Sequence, residues 1–368
     1  MKTNLLPVLL LFISLHLQAQ VMRSLPASGG NLKSSVSQRI GVTDMAIHWD
    51  APGVRGREGA IWGTQVAHYG FADLGFGTSK QAPWRAGANE NTTIAFSTDV
   101  RVEGKPLTAG TYGFFIAVYP DSCVLIFSKN STAWGSYFYD PAQDALRVTV
   151  RQQKNQPVLR EWLGFEFFDQ TESATSIALV WERWRIPFRV EIDLKKTVVD
   201  ALRQEMANSP GFYAQNLNAA ASFCLEHDYN LEEALGWANR ALESDPSFNN
   251  NLLKANLLNK LGRSAEADKV MSGAMETATV LDLHQYGRQL ISQKNPKKAL
   301  EVFELNHRKN GDTWPVHVGL ARGYSANGDV KKALEHAKIA QKQAPDEQNR
   351  RSLDGMVKTL SEGKPIGQ

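Results

Sequence analysis

The sequence predicts a multidomain β + α protein: an antiparallel β-sandwich or barrel-like domain over residues 30–193, then an α-helical repeat array over 210–362. Three observations carry this. Between residues 34 and 193 apolar and polar residues alternate at period two, in short runs separated by turn formers. Past Asp193 the period lengthens to that of a helix. Within the helical part, a pattern of small residues returns about every 33 residues.

A leader precedes both parts. Lys2 gives a short positive start, Leu5 to Leu17 is a nearly unbroken apolar run, and Gln18-Ala19-Gln20 closes it with polar and small residues. This is the layout of a secretory signal peptide over 1–20, with cleavage expected after Ala19. The run is short for a bilayer span, so a retained anchor is the secondary reading. No cysteine follows the run, and no later segment approaches ~18 continuous apolar residues. The mature chain is therefore expected to be exported, periplasmic or extracellular, with no transmembrane segment.

The β part shows its strands one by one. Residues 45–49, 93–97, 114–118, 123–127, 146–150, 162–168, 177–181 and 188–192 are rich in β-branched and aromatic residues. Between them sit Glu103-Gly104-Lys105-Pro106, Ala109-Gly110-Thr111, Pro120-Asp121-Ser122, Lys129-Asn130-Ser131 and Asp140-Pro141. No helical period intervenes, which means an antiparallel sandwich or barrel. Residues 51–88 break the rhythm with many glycines and few runs. Trp62, Tyr69, Phe71, Phe76 and Trp84 lie in this stretch, so it is expected to pack on the sheet.

Residues 194–209 read as a helical linker, and Ser209-Pro210 as the cap and first turn of the next helix. Beyond it, Ala234, Ala267, Ala299 and Ala333 are 33, 32 and 34 residues apart. Twelve positions before each stands a small residue: Ser222, Ala255, Gly287 and Ala321. Twelve positions after the first and last anchors stand Pro246 and Pro345. Small residues are needed where paired helices touch, because a large side chain would hold them apart. The pattern resembles the tetratricopeptide repeat, four copies over about 215–345, without that family's tryptophan and most of its tyrosines. The polar segment from Pro345 to Leu360 would cap the stack.

The β part carries a second resemblance. Val36 to Gly41, Pro52-Gly53-Val54-Arg55-Gly56-Arg57, Trp84-Arg85-Ala86-Gly87-Ala88-Asn89-Glu90, Ala109 to Phe115 and Trp134-Gly135-Ser136 together look like the bacterial envelope family known as domain of unknown function 2911. The resemblance spans about 30–190 and implies an exported β domain, often joined to helical repeats, with no established activity. This chain departs from it by inserting Phe71 to Pro83 between Tyr69-Gly70 and Trp84.

The Trp84 to Thr93 element is the polar-rich cluster with the density of a signature. Arg85, Asn89, Glu90 and Thr92, joined by Arg57, would offer a fork donor, an amide, a carboxylate and a hydroxyl to a ligand carboxylate or sugar. Trp84, Tyr112 and Trp134 complete the candidate ligand-binding set. The bland reading of the cluster is a buried Arg85–Glu90 pair with Asn89 tying down a turn. That of Tyr112 is a hairpin device, and that of Trp134 is sheet packing. His48-Trp49-Asp50 lacks a third ligand, so no metal site is expected. Neither catalytic elbows nor phosphate loops occur, and no cofactor is indicated.

Composition narrows the function. Residues 200–368 hold 21 Lys/Arg against 21 Asp/Glu, and the whole chain carries +3, with no concentrated basic face for nucleic acid. Cys123 and Cys224 fall in different parts and read as buried free thiols. The leading expectation is a non-catalytic envelope protein. Its repeats would present a concave surface to a protein or peptide partner, and its β domain would bind a ligand or second partner. The rival is an envelope hydrolase of glycan or peptide, with Glu90 as acid or base and Arg85 orienting substrate. A third option is a structural assembly factor in which neither part has a pocket.

Overall fold

Alternation at period two becomes two open antiparallel sheets in the computed structural model, which describes residues 28–366. The signal peptide expected over 1–20 lies outside the described residues. The strands are β1 (Leu32–Ile40), β2 (Thr43–Ala51), β3 (Ala88–Phe96), β4 (Val100–Val102), β5 (Lys105–Leu107) and β6 (Gly110–Val118). They continue with β7 (Cys123–Ser128), β8 (Asp144–Val150), β9 (Arg160–Phe168), β10 (Ala174–Glu182) and β11 (Trp184–Glu191). One sheet runs β1-β2-β3-β6-β7-β8 and the other β5-β4-β11-β10-β9.

Each expected run lies on one of these strands, with Ser97 and Ile192 one residue beyond the ends of β3 and β11, and β1, β4 and β5 are additions. The barrel alternative is corrected. Closure would need the edge strands of a sheet to pair with each other, and β1 pairs β2 while β8 pairs β7. The strands instead form two layers with a shared apolar interior. On β2, Met45, Ile47 and Trp49 point into it, while Asp44 and His48 face outward and stay exposed. Trp49 meets Phe165 of the opposite sheet edge-on at 5.0 Å, and Phe114 meets Phe188 at 5.8 Å. Each such side chain contributes about 1.5–3 kcal/mol by leaving water.

The 51–88 segment does pack on the sheet. β3 pairs β6 only along residues 110–113, and the far half of β6 is taken up by this segment. Trp84 and Ile116 exchange backbone hydrogen bonds at 2.9 and 3.0 Å, and Gly70 N donates to Val118 O at 2.7 Å. Its tryptophans anchor it. Trp62 stacks on Trp184 at 4.4 Å, and Trp84 stacks on Trp181 at 6.0 Å.

The chain falls into two units dividing at 197/198, inside α1 (Leu194–Met206). Ser209-Pro210 does not open the next helix, as the sequence led us to expect. Residues 209–212 make a separate 3-10 turn, folded so tightly that a Cβ on Gly211 would lie 2.1 Å from Met206 O. The hairpins follow: α2 (Ala214–Glu226) with α3 (Leu231–Ser244), α4 (Phe248–Lys260) with α5 (Ser264–Thr277), α6 (Val280–Ser292) with α7 (Pro296–Asn310), and α8 (Trp314–Ala326) with α9 (Val330–Lys342). α10 (Glu347–Ser361) packs on α9 and closes the series.

The anchors Ala234, Ala267, Ala299 and Ala333 are all buried, as are Ala255, Gly287 and Ala321. Ser222 is only half-buried, beside the buried Ala221. The tightest approach surrounds Phe303 of α7. A Cβ added to Gly287, Gly319 or Gly323 would lie 2.4, 2.5 or 2.8 Å from its ring. Glycine is required on α6 and α8 because one large ring fills the space between them.

Candidate functional site

The sequence-flagged residues of the β domain do not form one cleft. Arg85 gives its Nη1 hydrogen to Asn89 O at 2.7 Å and lies over the Tyr137 ring at 4.9 Å. Arg57 turns back on its own loop, donating to Val54 O at 3.0 Å and Gly53 O at 2.8 Å. Thr92 is buried and donates to Ala86 O at 3.0 Å. Trp84 and Tyr112 are core residues, the Tyr112 hydroxyl donating to Thr108 O at 2.7 Å. Trp134 is half exposed. Neither a common pocket nor an Arg85–Glu90 pair exists among the described residues; both are corrected. Strand alternation and a register shift between His48 and Asp50 send neighbours in sequence to different neighbours in space.

Glu90 does reach a polar cleft, with partners the sequence reading missed. Lys33 of β1 donates to both its carboxylate oxygens at 3.0 and 3.1 Å, and Lys33 Nζ also lies 3.6 Å from Asp50 Oδ1. The cleft is shallow, about 180 Å3, lined by Lys33, His48, Asp50, Glu90, Asn91 and Thr93. The Asp50 side chain is 3% exposed, and its Oδ2 has no N–H donor. The Glu90 carboxyl is the acidic group whose charge and hydrogen bonding bear on it. Burial, with the hydrogen bond to Glu90, raises the Asp50 pKa above the ordinary range, against an opposing hydrogen bond from Asn89. Glu90 is held below its usual value by its hydrogen bonds with Asp50 and Lys33. The arrangement separates an acid from a base. One signal in the sequence pointed to it: in a hairpin turning at 41–42, Lys33 falls opposite Asp50.

The helical array offers a second polar concentration. Arg288 of α6 and Arg322 of α8 line one cavity of about 300 Å3. Arg322 is largely buried, its Nε has no hydrogen-bond partner, and burial followed by repulsion from Arg288 lowers its pKa. His284 of α6 feels both arginines. Burial first, then their charge, push it down to about 4 while its Nδ1 rests 3.0 Å from Pro315 O. A neighbouring groove of about 730 Å3 runs past Ile291, Lys294, Pro296, Arg322 and Val330. Pro365 and Ile366 lie along it, with Ile366 N donating to the buried Ser325 Oγ at 2.9 Å.

Farther along α8, His317 Nδ1 faces His336 Nδ1 at 2.9 Å, so one donates and the other accepts. Its Nε2 lies 3.3 Å from Asp312 Oδ1, which also meets His307 Nε2 at 2.7 Å. No cluster of three or more His, Cys, Asp or Glu side chains suited to a metal ion occurs among the described residues. Cys123 and Cys224 are free and buried, their thiols pushed up by burial to about 12 and about 11. They are unreactive at neutral pH. No described helix is long and apolar enough to cross a membrane.

No curated protein matches this chain. Solved structures similar to it include MamA from Desulfovibrio magneticus, at 20% identity over 41% of this chain and 90% of that one, with a TM-score of 0.27. A tetratricopeptide repeat protein from Parabacteroides merdae is 18% identical over 46% of this chain and 68% of its own, with a TM-score of 0.29. The C-terminal part of a repeat protein from Cytophaga hutchinsonii is 15% identical over 46% and 72%, with a TM-score of 0.31. In the N-terminal part, residues 32–190 match the family described as protein of unknown function, DUF2911.

Proposed function

We propose that the protein is an exported, non-catalytic interaction protein whose helical array docks a segment of a partner protein, while its β domain holds a ligand or second partner. The apolar leader over 1–20 supports export to the periplasm or exterior. The observation that carries the docking reading is the groove over α6 and α8. It is large enough for several side chains, it mixes Ile291, Pro296 and Val330 with basic groups, and the chain's own Ile366 lies along it with its N donating to Ser325 Oγ, so the groove can hold extended backbone. The test is affinity purification of the tagged full chain from its own cells, beside an Ile291→Arg variant that fills the groove. A partner recovered with the parent chain and lost with the variant is the expected result. Equal recovery by both would remove the groove from the account.

One observation favours a second reading, the hydrolase. The Asp50–Glu90 pair has the opposed proton affinities that acid–base chemistry uses, although Arg85 is not beside it. Hydrolysis of glycan or peptide substrates by the parent chain, abolished in Glu90→Gln, would establish it. Equal turnover by both chains, or none by either, would rule it out.

A further inference from the structure

Between the pairs His48–Thr93 and Asp50–Ala88, β2 has the single residue Trp49 while β3 has residues 89–92. The surplus bows β3 out of the ladder, with Asn89 in the left-handed region at a φ of 54°. Glu90 and Asn91 lie on this bow. With Lys33, His48, Asp50 and Thr93 they line the cleft of about 180 Å3 on the outer face of the sheet.

Hydrogen bonding in the cleft is incomplete. The Asp50 side chain is 3% exposed, and its Oδ2 receives no hydrogen bond. Glu90 beside it is a second acceptor when ionised, so it cannot supply the missing donor. Lys33 lies 3.0 and 3.1 Å from the Glu90 oxygens but 3.6 Å from Asp50, and only from Oδ1. A buried carboxyl oxygen without a donor opposes folding, and an incoming donor relieves it. Lys33 and Glu90 are 65% and 46% exposed, long side chains that can turn aside for such a group.

Charge selects that group. An anion would face two carboxyls, and a ligand ammonium would be pressed against Lys33. No set of three His, Cys, Asp or Glu side chains suited to a metal ion occurs among the described residues. A neutral hydroxyl fits, because it donates to a carboxyl oxygen and accepts from an ammonium. The cleft is far roomier than one water needs, about 30 Å3.

An aromatic residue stands beside it. Asn91 N donates to Ala133 O and Asn91 Nδ2 to Asn130 O, each at 3.3 Å, which ties the 130–133 stretch to the bow. Trp134 follows and is half exposed. An indole face packs on the C–H face of a sugar ring while the ring's hydroxyls turn to polar groups.

We propose that the Lys33–Asp50–Glu90 cleft binds a neutral sugar residue, its hydroxyls bridging the carboxyls and Lys33 while Trp134 stacks on its ring. This rests on the reading of the β domain as a ligand holder and names the ligand.

The probes are methyl glycosides of glucose, galactose and mannose, each with its uronic-acid and amino-sugar counterpart. They are titrated into the isotope-labelled full chain and read at the Trp134 indole and Asn91 side-chain amide resonances. At least one neutral glycoside is expected to shift both resonances to saturation, and its charged counterparts to bind about tenfold more weakly. Glu90→Gln is expected to weaken the neutral glycoside about tenfold, and Trp134→Phe to keep more binding than Trp134→Ala. Circular dichroism of each variant checks the fold, and the glycoside comparison on the parent chain needs no variant.

Tighter binding of a uronic acid or an amino sugar would overturn the neutral assignment while leaving a ligand site in place. If no glycoside moves either resonance, the sugar assignment is wrong. Soluble extract of the protein's own cells then separates the two readings. Movement of the same resonances keeps the β domain as a ligand holder, and no movement removes that reading as well.

Discussion

Arg85 lies across the Tyr137 ring, 4.9 Å from its centroid, and donates to the Asn89 carbonyl at 2.7 Å. A Cβ on Gly135 would come within 2.5 Å of the same guanidinium. The most signature-like arginine of the β domain is thus engaged in holding the 130–137 segment against the start of β3. Arg85→Lys keeps the charge but loses the flat fork, and is expected to lower stability by about 1 kcal/mol. A double-mutant cycle with Tyr137→Leu, followed by urea unfolding, should show a coupling of about 0.5–2 kcal/mol. Additive effects would mean that the two side chains merely pass close by.

Glu90→Gln replaces the acidic neighbour of Asp50 by an amide. The hydrogen bond to Glu90 raises the Asp50 pKa, so it is expected to fall in the variant. Carboxyl carbon resonances followed against pH would measure it. The sign for Glu90 is opposite. Its folded pKa is depressed, so the stability it contributes is present above its unfolded value and lost as pH falls through the folded one. An unchanged Asp50 titration in Glu90→Gln would mean that Glu90 does not raise the Asp50 pKa.

Phe303 and its three glycines give a sharp contrast with an open helix face. Phe303→Ala is expected to cost about 3–5 kcal/mol through the cavity it leaves. Gly287→Ala should cost about 1–3 kcal/mol, because its Cβ would meet the ring at 2.4 Å. Gly236 of α3 is exposed with nothing within 4 Å of an added Cβ. Gly236→Ala should therefore stabilise by about 0.5–1 kcal/mol. Thermal unfolding of the three variants decides the matter, and similar values for Gly287→Ala and Gly236→Ala would contradict it.

His284 makes the array sensitive to acid. Its folded pKa of about 4 lies below the unfolded value near 6.5, so the unfolded chain binds the proton first as pH falls. Stability is therefore complete above about pH 6.5, declines between that value and about 4, and levels off below it. His284→Asn can still donate to Pro315 O and does not titrate. It should flatten this part of the stability–pH curve, whereas an unaltered curve would assign the sensitivity to other groups.

What the sequence disclosed follows from which contacts are local. Alternation on β2 and the spacing of Ala234 to Ala333 are local or periodic, and the structure repeats them. The partners of Glu90 are not local. Lys33 is 57 residues away and reaches it through the register of β1 and β2, while Arg85 is drawn off by Tyr137. A run such as Trp84 to Thr93 shows that polar groups are dense without showing which way each points. The arginine pair was legible in principle, since Arg288 and Arg322 share a repeat position. It was missed because the repeats were aligned on their small residues, which report packing rather than charge.

The central claim is that the α6–α8 face is where a partner docks. Site-specific photocrosslinking in the full chain, in its own cells, tests it at residue level. A benzophenone side chain at Gln289, on the wall of the Arg288–Arg322 cavity, is expected to capture a discrete partner. The same probe at Lys338, exposed on α9 and outside both cavities, is expected to capture none. Capture of the same species from both positions, or from Lys338 alone, would contradict the claim.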